Sequence, residues 1–122
     1  MNSINKYTLT MNVLTIPREN EEDDVWRASL RGDTQMVRYY VESLKSATAF
    51  AKYDINALSQ YGRSALYQAA LGGHEDTVRW LISHGASDFD GTAYIACSDP
   101  NTRLTLRKAG FNGKRKFNDI IE

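Results

Sequence analysis

Between Ser64 and Ser87 the apolar positions fall at helical spacing twice, with a break between the two runs. Leu66, Ala69 and Ala70 repeat at i, i+3, i+4. That predicts a helix opening at Ser64, a hydroxyl residue suited to capping, and closing near Leu71. Gly72-Gly73 ends it, because glycine accepts the left-handed conformation that a helix terminus often needs. Glu75 and Asp76 then suit the positive end of a second helix dipole, and Val78, Leu81 and Ile82 repeat the spacing. His84 in the last turn and Gly85 after it mark the second stop. Each predicted helix is about two turns long, too short to persist alone in water. The pair therefore needs neighbours against which to bury its face, as in proteins built from stacked repeats.

Weaker copies of the pattern lie on both sides. In 24–44, Val25, Ala28 and Ser29 match the first helix, Gly32-Asp33 the turn, and Met36, Val37, Tyr40 and Val41 the second helix. Asp23 or Asp24 can cap the first of these helices and Asp33 the second. The apolar spacing continues through Leu44, Ala47 and Ala51, so the second helix is expected to reach about Lys52, an insertion of about 8 residues against a period of about 33. Downstream, Thr92 to Cys97 reads as the start of another first helix, and Asp99-Pro100 as a cap with proline at the first helical position. Leu104, Leu106 and Ala109 are expected to face the core, with Gly110 as the stop. The loop 87–91 is too short for a full connecting hairpin, and the last helix is expected to be short as well.

The central stretch resembles an ankyrin repeat. Gly62, Leu66, Ala69, Ala70, Gly73, His74, Val78, Leu81, Ile82, Gly85 and Ala86 fall in register with the family pattern, and Asp54-Ile55-Asn56-Ala57 resembles the lead-in to a repeat's hairpin loop. Ser64-Ala65-Leu66-Tyr67 departs from the family's Thr-Pro-Leu-His, so the threonine–histidine hydrogen bonding of that motif is only partly reproducible, and Trp26 takes the histidine's position in the preceding unit. The resemblance implies an all-α stack of about three repeats, one clear at about 54–87 and two degenerate units of capping type beside it. On this division residues 1–23 are an extended, acidic leader, 24–110 the repeat domain, and 111–122 a basic and apolar tail. It also implies that His74 is a structural residue of the turn.

Composition changes this picture little. The chain has 122 residues, enough for one domain, with 15 basic and 15 acidic side chains in balance. Nothing global points to nucleic acid or a membrane surface. Acids gather at Glu19, Glu21, Glu22, Asp23 and Asp24, and bases at Arg103, Arg107, Lys108, Lys114, Arg115 and Lys116. The acidic run reads as a solvated face that caps the next helix, and the tail as one that docks Phe117, Ile120 and Ile121 on the last repeat. The single cysteine, Cys97, excludes an internal disulfide, suits a reducing intracellular compartment, and reads as a small core residue. There is no phosphate loop, metal-ligand spacing or nucleophile motif, and no apolar run of membrane-spanning length. Tyr39, Tyr40, Tyr67 and Trp80 stand at packing positions on the predicted helices.

No cofactor, metal, nucleic acid or small-molecule substrate is expected, and a function by protein–protein contact is. The resemblance implies a concave binding face holding Gln60, Tyr61 and Arg63 from the hairpin loop, Leu71 and Gly72 from the central first helix, and Leu30 and Arg31 from the one before. The two leucines have a second reading, as contacts between neighbouring repeats. The leader has two readings as well. Tyr7, Leu9, Met11 and Val13 alternate with polar residues, the period of a strand, so the segment either docks on a partner or is unstructured. The expected role is an accessory or adaptor subunit of a larger protein assembly; the alternative is an inhibitor or effector that binds an enzyme's surface.

Overall fold

The computed structural model describes residues 23–47 and 54–114. Among these residues there are six helices and no strand: α1 Val25–Arg31, α2 Thr34–Ala47, α3 Ala65–Leu71, α4 Glu75–Ser83, α5 Thr92–Ala96 and α6 Pro100–Lys108. Short polar residues set their starts. Asp24 accepts the Arg27 backbone N–H at 2.8 Å, Asp33 that of Met36 at 3.1 Å, Ser64 that of Tyr67 at 3.0 Å and Asp99 that of Thr102 at 2.9 Å. Each satisfies one of the donors that a helix start leaves without a partner inside the helix. At α4 no side chain caps, and Glu75 and Asp76 lie in the first turn.

The helices form three antiparallel pairs that stack side by side. The first members make one row, α1 on α3 on α5, and the second members another, α2 on α4 on α6. The first row can approach closely because its contacts are made by small residues: Ala28, Ser29, Ala69, Ala70, Ala93 and Cys97 are all almost fully buried. Larger apolar side chains fill the space between the rows, with Val37, Val41, Leu66, Val78, Leu81 and Leu106 buried. No single pair encloses a core, so burial depends on the neighbour.

Side-chain hydrogen bonds hold each pair to the next. Trp26 Nε1 donates to the Ala57 carbonyl at 3.1 Å. The Asn56 amide reaches the loop between α4 and α5 by donating to Gly85 O at 3.3 Å and accepting from Ser87 N at 2.8 Å. In the second row, Thr34 and Thr77 share a hydroxyl bond at 2.7 Å, and Thr105 Oγ1 donates to Glu75 Oε2 at 3.0 Å.

Three expectations differ from the structure. Leu104 is 43% exposed and Ala109 is exposed, whereas Leu106 is buried together with Thr102. Leu104 and Leu106 are two residues apart, about 200° around a helix, so they cannot share a face; Thr102 and Leu106 at i, i+4 can. The last helix is also not short. At 9 residues α6 equals α4, and the shortened member is α5 with 5. Tyr39 is 62% exposed and only touches Tyr40 edge to face, with ring centroids 5.7 Å apart. Helix α2 runs to Ala47, and its expected continuation to about Lys52 lies outside the described residues.

Candidate interaction face

The turn joining α3 to α4 is built against the end of α1. His74 Nε2–H donates to the Leu30 carbonyl at 2.8 Å, satisfying an acceptor that the end of α1 leaves free. The ring lies over Gly32, where an added Cβ would stand 2.4 Å from His74 Nδ1, and Gly32 has φ 77°. Gly72 meets the same place from the other side, with a Cβ position 2.5 Å from Leu30 O. Gly72, expected on the binding face, therefore serves the contact between repeats. Leu30 and Leu71 flank this junction at the C-terminal ends of α1 and α3, and they keep 41% and 40% exposure.

The loop before α3 carries the other expected residues. Ser59 N donates to Arg63 O at 2.9 Å and Gly62 N to Ser59 O at 2.8 Å, closing a tight turn that displays Gln60, Tyr61 and Arg63 to solvent. Tyr61 is 74% exposed. The Arg63 guanidinium lies 5.1 Å from the Tyr67 ring centroid, a cation–π arrangement. The loop precedes α3 and Leu71 ends it, so the 7-residue helix separates the two groups by about 10 Å.

Arg31 is committed within the fold. Its guanidinium grips Asp23 through two bonds, Nη1 to Oδ1 at 2.7 Å and Nη2 to Oδ2 at 3.0 Å, and Tyr40 Oη donates to the same carboxylate at 2.7 Å. The Arg31 hydrogen bonds hold the Asp23 carboxyl down at about 2, and burial pushes the Tyr40 phenol up to about 12. Tyr7, Leu9, Met11 and Val13 lie outside the described residues.

Two features were not read from the sequence. Asp88 is buried in the loop before α5, and its two carboxylate oxygens accept the backbone N–H groups of Ala93 and Tyr94, both at 2.9 Å. Burial pushes this carboxyl upward against those two bonds. The second is a groove on the opposite side, between α4 and α6, of about 510 Å³ and lined by Glu75, Arg79, Ile82, Leu104, Thr105 and Lys108 among others. The Arg79–Glu75 ion pair spans its wall.

Cys97 is buried beneath α6, and burial pushes its thiol up, which disfavours the nucleophilic thiolate. Among the described residues, no group of His, Cys, Asp and Glu side chains could hold a metal ion. No described helix is long and apolar enough to cross a membrane.

The family model for ankyrin repeats (3 copies) matches residues 25–113, most of the chain. The protein belongs to the ankyrin repeat family. Ankyrin repeats are protein–protein interaction modules and typically carry no catalysis. A comparison with solved structures finds no significant match.

Proposed function

We propose that the chain is a non-catalytic accessory or adaptor subunit that binds a protein partner through the loop before α3 and the exposed ends of the first-row helices. The observation that carries this reading is the exposure of Tyr61 on a hydrogen-bonded turn and of Leu30 and Leu71 at the ends of capped helices. Exposed Tyr61 and Arg63 give aromatic and cationic contacts of the kind enriched at interface hot spots, and Leu71 adds apolar area at the far end of α3. Gln60 adds an amide at the rim. Within this group Arg31 acts by fixing the end of α1 through Asp23, and it leaves Leu30 to make the contact. The leader residues Tyr7, Leu9, Met11 and Val13 form a second contact, as an added strand or an extended peptide in a groove.

Purification from the source with quantified partners tests this reading. A subunit copurifies in fixed stoichiometry, and changing Tyr61, Arg63 and Leu71 together to Ala lowers capture while the helical circular dichroism spectrum is unchanged. Undiminished capture moves the surface elsewhere. Substoichiometric, transient capture that the triple change abolishes supports the inhibitor or effector reading instead.

A further inference from the structure

Asn112-Gly113 is the one Asn–Gly pair in the sequence, and it lies in the bend that follows α6. Buried Phe111 anchors the bend on one side, its N–H donating to Leu106 O at 2.9 Å. On the other side Gly113 lies against the start of α5. A Cβ on Gly91 would overlap Gly113 O, so the two backbones touch there. Asn112 itself is exposed. Its Oδ1 accepts the Lys114 N–H at 3.2 Å, which folds the carboxamide back along the chain toward Gly113. Among the described residues no acceptor is paired with the Gly113 N–H, and glycine has no side chain to shield its nitrogen.

A backbone nitrogen that can lose its proton is a nucleophile for the side-chain carbonyl of the residue before it. At the other described positions of this kind the nitrogen is engaged. After Asn56, the Ala57 N–H donates to Asp54 O at 3.0 Å. After Asn101, the Thr102 N–H donates to Asp99 Oδ2 at 2.9 Å. Asp90-Gly91 has the same spacing as Asn112-Gly113, but Gly91 is buried and its N–H donates to Asp88 O at 3.0 Å.

We propose that Asn112 is a self-modifying site, at which the Gly113 nitrogen attacks Asn112 Cγ and converts the asparagine to aspartate or isoaspartate in the folded protein. Hydroxide takes the Gly113 amide proton. The N–Cγ bond forms and negative charge moves to Oδ1, where the Lys114 N–H already donates and stabilises it. Collapse breaks the Cγ–Nδ2 bond, and the nitrogen leaves as ammonia with a proton from water. Water then opens the succinimide ring. Opening at the side-chain carbonyl restores an α-linked aspartate. Opening at the main-chain carbonyl leaves a β-linked one, with an extra methylene in the backbone. Both products add a negative charge, and the β-linked one lengthens the chain where Gly113 touches Gly91. Gly91 O accepts the Ile95 N–H at 3.2 Å, so the displacement reaches the first turn of α5.

Peptide mass spectrometry of the full chain, aged at mildly alkaline pH either folded or unfolded in urea, tests this. Each asparagine reports its own conversion by the mass gain from amide to acid. Folding is expected to slow conversion at Asn56 and Asn101 at least tenfold, and at Asn112 by less than about threefold. Greater slowing at Asn112 overturns the proposal. No slowing at any of the three also overturns it, because the hydrogen bonds of the fold then do not gate the reaction. Asn112→Gln keeps the amide but needs a larger ring, so its peptide is expected to hold its mass. A gain there as fast as in the parent would mean direct hydrolysis and overturn the attack by Gly113. In the β-linked product, separated by chromatography, the Ile95 amide is expected to exchange faster than in the parent, with the Val78 amide unchanged. Equal exchange at Ile95 overturns the effect on α5.

Discussion

His74 reaches across 44 residues of sequence to the backbone of Leu30, and its ring occupies the space that the missing side chain of Gly32 leaves open. The bond joins the turn of one repeat to the end of the helix before it. His74→Ala removes the donor and leaves the Leu30 carbonyl to water, so it is expected to destabilise by about 0.5–1.5 kcal/mol in urea denaturation. Gly32→Ala adds left-handed strain to the clash with the ring and is expected to cost more. In the double variant the clash is relieved, so the two losses sum to more than the loss of the pair. Strict additivity would show that the ring and the glycine do not share the space.

Leu81 is fully buried between the rows at the centre of the stack. Leu81→Ala is expected to cost about 2–5 kcal/mol, the range for truncating a buried leucine. A stack this short has few other contacts to hold it. A loss below about 0.5 kcal/mol, the size of a surface effect, would remove Leu81 from the core.

Much of this arrangement was legible because ankyrin-type units repeat local signals. Ser64, Asp24, Asp33 and Asp99 announce helix starts, and all four make the cap bond expected of them. Leu66, Ala69, Val78 and Leu81 fall on the buried face that their spacing defined. Legibility failed where a side chain's role depends on a loop's path. Asp88 reads as a polar loop residue until the chain turns it under α5. Helix α6 was misread through Leu104, because two leucines suggested one face although their two-residue spacing forbids it. On the candidate face Tyr61, Leu30 and Leu71 are exposed. The engagement of Arg31 with Asp23 was not legible, since that pair is eight residues apart and forms only once α1 is capped.

The Asp23 cluster makes stability depend on pH at both extremes. The Asp23 carboxyl is held near 2, below its ordinary value of 3.8, chiefly by the Arg31 hydrogen bonds. A depressed acid contributes stability that is present above the unfolded value and lost as pH falls through the folded one. Tyr40 is raised to about 12 from 10.0, so its contribution is present below the unfolded value and lost as pH rises through the folded one. The stability lead of the parent protein over Asp23→Asn is therefore expected to hold at neutral pH and to shrink between about pH 4 and 2. Tyr40→Phe should reduce the alkaline loss above about pH 10. Melting temperatures across these windows check both; parallel profiles for parent and variants would dissociate the cluster from folding.

Asp88 supports the shortest helix in the stack. Helix α5 has 5 residues, and no side chain at the preceding Gly91 caps it. The first backbone donor, Thr92 N–H, is met near the surface by Asp90 at 3.2 Å, whereas the next belongs to buried Ala93. Asp88 meets two donors at once, one carboxylate oxygen to Ala93 and the other to Tyr94. Asp88→Ala removes both acceptors and is expected to cost about 2 kcal/mol, the upper end for a lost helix cap. Asp88→Asn keeps a single acceptor and turns an amide toward the other N–H, so its loss should fall between the parent and Ala. Hydrogen exchange gives the site-specific reading. The amides of Ala93 and Tyr94 should exchange faster in Asp88→Ala by a larger factor than the amide of Val78, which reports the central repeat. A uniform increase across all three would make the loss global, and an unchanged rate at Ala93 and Tyr94 would show that other acceptors serve the start of α5.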